Sequence, residues 1–397
     1  MSSLVNFIVM ADLHWGAIDP NVFTSELREC LFKPLEHKKD PIDFIVISGD
    51  TFDMKEYFSS DVVRSALKFF NELSKHTDKI FVIEGTRTHD AYQTLTLKTI
   101  FESLVNTDKF VFMDKVSEIT YRGIDMLFIP EEYVVDVDSY YGDFFNKHYD
   151  FIFGHGMVDK IWYAQKADSK MRAYHAPSAP IFEVDKLCSI ANYVYFGHVH
   201  THIAYGPKKR FKYIGPVTRW EFDKEDDCGY YKVTYSNKTE LAIEEFIVND
   251  TARVLSTMAV NIDHDMNTSE IDKLFRSITS KLENCYKLRL IINILTDIQS
   301  YASLKEIILS RLNNYPMVYT VLKPYSNSDK SEKIAVETNE ERAERISRYV
   351  EMPEELRIQK FILEKSNINI PVDTIREVTG LNKLKQTDTE DKNEESD

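Results

Sequence analysis

Cysteine is scarce in this chain: Cys30, Cys188, Cys228 and Cys285 are the four in 397 residues, far apart and without a C-x-x-C pair. That spacing excludes a zinc–thiolate site and reads as reduced core residues of a cytosolic protein. No stretch reaches the roughly 18 apolar residues of a membrane span. The N-terminus runs straight into a strand pattern with no basic leader, so no membrane association and a cytoplasmic location are expected. Excess positive charge is missing too: 49 Lys+Arg face 64 Asp+Glu, for a formal net charge of −15. A surface that holds nucleic acid by charge alone is thereby excluded, while a local basic strip, bound divalent ions or a partner subunit would still permit contact. No internal repeat is present. What remains, 43% hydrophobic and 28% charged residues, is an ordinary globular composition, long enough for two or three domains.

What the chain does have is one recurring pattern. Ile45-Val46-Ile47-Ser48 runs without alternation, as a strand buried on both faces of a parallel sheet does, and stops at Gly49-Asp50. Asp12-Leu13-His14 follows Phe7-Ile8-Val9-Met10, and His89-Asp90 follows Phe81-Val82-Ile83. Gly154-His155-Gly156 follows Phe151-Ile152-Phe153, and Gly197-His198-Val199-His200 follows Tyr193-Val194-Tyr195-Phe196. Chemistry in open α/β sheets sits just beyond the carboxyl ends of the strands, so five strands ending in Asp or His describe a metal site. Residues two apart at a strand end share a side, which suits Asp12 with His14 and His198 with His200.

In chain order, strand and helix alternate from Leu4 to about Glu118, with helical spacing over Phe23 to Leu35 and Val62 to Leu73, the second capped by Ser60-Asp61. Ile119 to Pro130 reads as a hairpin turning at Arg122-Gly123. The polar segment Asp159 to Pro180 is too long for an idle loop. Phe211 to Ile214, Gly229 to Tyr235 and Leu241 to Ile247 suggest a second sheet, closing a domain over 1–250. A smaller α/β unit follows over 254–325, then a charged linker at 326–337. Two amphipathic helices come next, within 338–380, and an acidic tail at 381–397 with the composition of a disordered segment.

Aspartate and histidine ligands suit manganese, iron, zinc or similar divalent ions, and a carboxylate shared by two ions is the arrangement of phosphate-ester hydrolysis. Taken in order, Asp12-Leu13-His14, Gly49-Asp50, His89-Asp90, Gly154-His155 and Gly197-His198-Val199-His200 resemble the calcineurin-like metallophosphoesterase superfamily. Asp12-Leu13-His14-Trp15-Gly16 and Tyr213-Ile214-Gly215-Pro216-Val217-Thr218-Arg219 resemble its SbcD-type double-strand-break repair nucleases, phage recombination nuclease subunits among them. The likeness covers 1–235 well, is weaker over 254–325 and rests on position alone over 338–380.

The resemblance implies an α/β fold: a two-sheet metallophosphoesterase sandwich flanked by helices, with a small α/β capping domain that binds DNA and a C-terminal helical element. It implies Asp12, His14, Asp50 and His200 on one ion, and Asp50, His155 and His198 on a second, most simply two Mn2+. His89 would take the transition-state or leaving-group role. The family usually reads Gly-Asn-His-Asp where this chain has Gly85-Thr86-Arg87-Thr88-His89-Asp90, so Thr88 stands in the asparagine's place as a metal ligand and Arg87 as a phosphate contact. The resemblance further implies a homodimer working with an SMC-like coiled-coil ATPase, degrading duplex DNA ends and nicking single strands in recombination and repair.

Other positions carry weaker signals. Lys208-Lys209-Arg210 with Lys212, and Lys166, Lys170 and Arg172 in the long loop, are set to touch DNA phosphates or simply to solvate turns. His202 reads as a surface histidine, Asp53 and Asp90 as loop braces, and Trp15 and Tyr57 as core or base-stacking aromatics. Two further functions stand beside the nuclease: a phosphatase or phosphodiesterase with a substrate other than DNA, and a scaffold subunit whose site has weakened at Thr88.

Overall fold

The computed structural model describes residues 4–37, 41–53, 60–86, 89–90, 107–134, 136–162, 179–224 and 226–326, with 371, 372 and 374. The strands of the first half are β1 (Leu4–Met10), β2 (Ile42–Ser48), β3 (Thr77–Ile83), β4 (Phe110–Met113), β5 (Ser117–Tyr121), β6 (Ile124–Ile129) and β7 (Tyr149–His155). The short β8 (Met157–Val158) and β9 (Ile181–Phe182) pair with each other. Then come β10 (Ala191–Gly197), β11 (Ile203–Tyr205), β12 (Phe211–Tyr213), β13 (Gly229–Ser236) and β14 (Leu241–Val248). They make two six-stranded mixed sheets, ordered β14-β13-β1-β2-β3-β4 and β11-β12-β10-β7-β6-β5. In each, the central strands that carry the Asp and His motifs run parallel.

The two sheets pack face to face. Val5, Phe7 and Val9 of β1, with Phe44 and Val46 of β2, point into a shared core with Phe128, Phe151 and Phe153 of the other sheet. Phe7 stacks on Phe44 with ring centres 4.5 Å apart and meets the Phe151 ring edge-on at 5.0 Å. The alternate residues Ile8, Met10, Ile45 and Ile47 face the helices on the other side. Both faces are therefore buried, which is why these strands read as continuous apolar runs.

The helices of this part are α1 (Pro20–Leu27), α2 (Ser60–Leu73), α3 (Val137–Phe145) and α4 (Val184–Ile190). Asp19 caps α1 by accepting from the backbone N–H groups of Asn21 and Val22. The expected helix over Phe23 to Leu35 is present but widens into a π turn at Arg28–Phe32 before a last turn, Lys33–Glu36. Pro34 in that last turn has no N–H to return to the preceding turn, a cause of such widening. Ser60 lies inside α2 and so does not cap it from outside. The hairpin is as expected: Arg122 and Gly123 have φ of 57° and 75°, the left-handed pair whose twist suits a two-residue turn between β5 and β6.

The expected second sheet after His200 is divided between the two. β12 joins β10 in parallel, whereas β13 pairs antiparallel with β1 and carries β14 with it. The alternating burial of β13 lets Tyr231, Val233 and Tyr235 extend the core between the sheets.

Residues 255–325 form β15 (Leu255–Ile262), α5 (Thr268–Leu282), β16 (Lys287–Leu295), α6 (Tyr301–Leu312) and β17 (Val318–Tyr325), a three-stranded sheet with its own core around Leu288, Leu290, Ile278 and Ile308. Asn267 and Glu270 form a reciprocal capping box at the start of α5. The chain divides into two compact units, Met1–Ile294 with Ile298–Lys323, and Leu295–Asp297 with Pro324–Asp397. The expected linker at 326–337, helical element at 338–380 and tail at 381–397 fall outside the described residues, but for 326, 371, 372 and 374. Among the described residues no helix is long and apolar enough to cross a membrane.

Candidate metal centre

The loops after the parallel strands are locked together by backbone hydrogen bonds. Asp12 N–H donates to the Gly49 carbonyl at 3.1 Å, His14 N–H to Asp50 at 2.9 Å and Trp15 N–H to Thr51 at 2.9 Å. Four residues there hold a left-handed backbone: Asp12 (φ 50°), His14 (44°), Asp50 (47°) and His198 (96°). Each such residue costs on the order of 1–3 kcal/mol and persists only where its surroundings enforce it. Gly49 (φ 78°) is required twice over, because a Cβ there would lie 2.1 Å from Nδ1 of His155.

Three groups of side chains converge closely enough to hold cations: Asp12, His14, Asp50 and His200; Glu131, His155 and His198; and His14, Asp53 and His89. In the first, Nε2 of His14 and Nε2 of His200 are 3.1 Å apart. Nδ1 of His200 lies 2.5 Å from Oε1 of Glu221, and Nδ1 of His14 lies 3.4 Å from Oδ1 of Asp53. With ring protons on both Nδ1 atoms, the two facing Nε2 atoms would be a pair of donors for one cation. Asp12 adds to this: Oδ1 accepts from the His198 N–H at 2.9 Å, while Oδ2 is buried with no hydrogen-bond donor.

The second group repeats the logic at greater depth. His155 is fully buried, and its Nδ1 donates to the Ser48 carbonyl at 2.8 Å, which turns Nε2 inward. That Nε2 lies 3.3 Å from Oδ2 of Asp50 and 3.8 Å from Oε2 of Glu131. Nδ1 of His198 is 3.2 Å from the same Glu131 oxygen. The Thr86 hydroxyl sits among them, 3.0 Å from Glu131 and 3.3 Å from each of Asp50, His155 and His198. Asp50 joins the two groups, since its Oδ2 is also 3.7 Å from Nε2 of His14.

The histidines respond differently to their surroundings. Burial would lower the pKa of His155, but Asp50, Asp12 and Glu131 outweigh it and raise it to about 10. His14 goes the other way: burial dominates and holds it neutral, below its usual value. Asp90 stands behind the ligands, accepting from the backbone N–H groups of Thr51 and Gly85 at 3.0 Å and of Phe52 at 3.1 Å. It braces the loops as expected.

Asp12, His14, Asp50, His155, His198 and His200 thus meet in one place, with His89 at the rim, its ring centre 4.7 Å from that of His14 and its side chain 18% exposed. Asp53 faces the rings of His14 and His89, so it does more than brace a loop. Thr88, Arg87, Lys166, Lys170, Arg172 and Tyr57 lie outside the described residues. Lys208, Lys209 and Arg210 precede β12, whose first residue pairs with Val194, so they stand at the opposite end of the sheet from His198. Lys212 is buried, 2.6 Å from Glu244 and beside the Tyr195 ring, so it is withdrawn from any phosphate. His202 is no surface histidine: its ring lies on Phe246 at 4.0 Å, because β14 covers it. Trp15 is core, its indole N–H donating to Ser65 at 2.6 Å.

Sequence reasoning missed Glu131, Thr86, Trp220 and Glu221. Trp220 packs against His14 and His200 with ring centres 4.1 and 4.6 Å away. Glu131 had a signal, since Ile129-Pro130-Glu131 is one more apolar strand ending in an acid.

Comparison with models of known protein families finds no match, and a search of curated proteins finds none either. Among solved structures, a protein of unknown function from Aquifex aeolicus is similar at 13% identity over 38% of this chain and 78% of its own, with a TM-score of 0.19. A likeness that slight adds nothing to the architecture described above.

Proposed function

We propose that this chain is a metal-dependent phosphodiesterase, a DNA nuclease of the SbcD type within the calcineurin-like metallophosphoesterase fold. The observation that carries the reading is the Asp50 carboxylate oxygen shared between two inward-facing clusters, 3.7 Å from His14 and 3.3 Å from His155. The donor set fits the group: two largely buried clusters of imidazole and carboxylate, and an undonated Asp12 oxygen. Asp12, His14, Asp50 and His200 would hold one divalent ion, and Asp50, His155 and His198 another, with Mn2+ the first candidate. Ions held there supply Lewis acidity for attack of water on a phosphate ester.

The protein's own groups then do the positioning. Glu221 and the Ser48 carbonyl engage Nδ1 of His200 and of His155, and Asp53 lies 3.4 Å from Nδ1 of His14. His89, exposed at the rim and outside the ligand clusters, is placed to hand a proton to the leaving oxygen. In this reading residues 254–325 cap the site towards DNA and 338–380 dock an SMC-like ATPase, with the chain acting as a homodimer in the cytoplasm.

One observation favours a second reading, a phosphodiesterase with a small substrate. Lys208, Lys209 and Arg210 stand at the far end of the sheet, Lys212 is buried against Glu244, and the net charge is −15. A direct test takes the purified chain with linear duplex DNA and Mn2+, using EDTA and His89→Ala as controls and a small aryl phosphodiester alongside. Loss of DNA that needs both Mn2+ and His89, by a factor of about 10² or more, is expected. Turnover of the aryl ester alone, persisting after addition of the ATPase, selects the second reading, and no turnover of either sinks both.

A further inference from the structure

We propose that Glu131 is itself a ligand of the deeper cation, completing with the Thr86 hydroxyl the cluster formed by Asp50, His155 and His198. The inference rests on the metal-dependent reading above and adds a ligand to it.

Spacing is the first argument. Around a cation with ligands at about 2.1 Å, neighbouring donor atoms lie about 3.0–3.4 Å apart in octahedral or tetrahedral geometry. Oε2 of Glu131 is 3.0 Å from the Thr86 hydroxyl and 3.2 Å from Nδ1 of His198, with His155 Nε2 slightly farther at 3.8 Å. One oxygen close to three different donors is the edge pattern of a coordination shell. An acid bound to a single partner would show one short contact.

The second argument is isolation. Glu131 is 5% exposed, and an ionised carboxylate that deep needs compensation. Among the described residues no lysine or arginine pairs with it: its near neighbours are histidines, Asp50, Thr86 and the Tyr133 hydroxyl, which is 3.5 Å from the other oxygen. Nδ1 of His155 is already engaged by the Ser48 carbonyl at 2.8 Å. A divalent ion among Asp50, Glu131 and two imidazoles satisfies every one of these acceptors at once, and the mix of oxygen and nitrogen donors selects manganese, iron or zinc over calcium.

The third argument is placement. Glu131 follows β6 through Pro130, its N–H bonded to the Glu84 carbonyl at 3.4 Å, and Thr86 follows β3 in the same loop as Glu84. The two new donors arrive from strands on different sheets, the manner in which the other ligands arrive.

Metal binding to the full chain tests this without recourse to activity. Isothermal titration with Mn2+ and Mn2+ electron paramagnetic resonance on the parent should show two bound ions per chain, with a spin-coupled signal. Glu131→Gln, nearly isosteric, should weaken one of the two by at least about tenfold and remove the coupled signal. Glu131→Asp, which keeps the charge on a shorter arm, should fall between. Glu132→Gln is the control: Glu132 accepts from the Val116 N–H at 2.8 Å and faces elsewhere, so both ions should remain. Melting curves in EDTA separate a folding failure from a binding one, and if Glu131→Gln does not fold, Glu131→Asp carries the test. Two ions at parental affinity in Glu131→Gln, or in Glu131→Asp should that be the only one to fold, overturn the assignment. Two ions in the parent without any phosphodiester hydrolysis would leave the ligand standing and remove the proposed function instead.

Discussion

The two-sheet body and the small sheet of residues 255–325 are built from the same kinds of strand and helix, yet they differ in what they bury. In the body, β2 is covered along nearly its whole length on both faces, and Asp12, His14, Asp50, Glu131 and His155 are buried beside apolar neighbours. In the small sheet, β16 alternates buried with partly exposed residues, and every buried residue described in 255–325 is apolar. Among the described residues the left-handed non-glycine positions lie at or before Glu240; Arg122, Lys208, Lys209, Asp223 and Glu240 are exposed turns, while Asp12, His14, Asp50 and His198 belong to the metal cluster. At those last four, ionisable side chains and a strained backbone go together. A sheet enclosed on both faces has the rigidity to hold strained, charged loops at its rim, whereas a sheet covered on one side is spared both.

Cutting one core at a time is the sharpest way to break that comparison. Phe153→Ala, in the layer between the sheets, should cost about 3–5 kcal/mol and take Mn2+ binding with it. Leu290→Ala, fully buried in the small core, should cost about 2–5 kcal/mol in urea unfolding yet leave Mn2+ affinity at the parental value. If Leu290→Ala also loses the metal, the small sheet supports the site and the contrast collapses.

A finer cut concerns the outermost support. Glu221 is two-thirds buried beside His200 and holds its Nδ1 proton. Glu221→Gln should weaken the ion at His14 and His200 by about 10- to 100-fold and leave the ion at His155 unchanged, read by Mn2+ titration. Equal weakening of both ions would show that the clusters do not respond separately.

The smallest effect expected lies at Glu26, which is buried on the helical side of the body, accepts from Thr218 and lies 3.4 Å from Arg253. Burial raises its pKa above 4.5. The folded state then holds that proton more tightly than the unfolded one, so the stability it contributes is present below about pH 4.5 and is lost as pH rises through the raised value. Glu26→Gln should flatten that stretch of the stability-versus-pH curve, measured by urea unfolding at a series of pH values. An unchanged slope would place the titration elsewhere.

How far the site could be read beforehand follows from the physics of strand ends. Apolar runs that stop at Asp or His point to chemistry wherever both faces of a sheet are covered, and Asp12, His14, Asp50, His155, His198 and His200 were legible for that reason. Glu131 obeyed the same rule and escaped it, because the sequence of its strand reads as half of a hairpin, whereas β6 pairs with β5 on one side and with β7 in the sheet interior on the other. Thr86 escaped because alignment by the downstream His89 pointed to Thr88, whereas it is the residue directly after Gly85 whose N–H reaches Asp50, at 2.7 Å. Glu221 and Trp220 gave no signal at all: they follow no strand, and only the approach of a loop 20 residues beyond His200 brings them in. Lys212 looked like part of a basic run, but as a β12 residue it points inward, where Glu244 from the neighbouring sheet holds it.

The left-handed backbone at Asp12, His14, Asp50 and His198 also acts as a filter on exchange. Asp, Asn and His accept that conformation at modest cost, and β-branched residues do not. Drift at these four positions is thus confined to a short alphabet, in which Asp→Asn removes a charge without moving the chain. Thr86, a β-branched donor in the centre, is free of a positive φ. The places where this centre can vary its donors were set by its backbone before any ligand chemistry had a say.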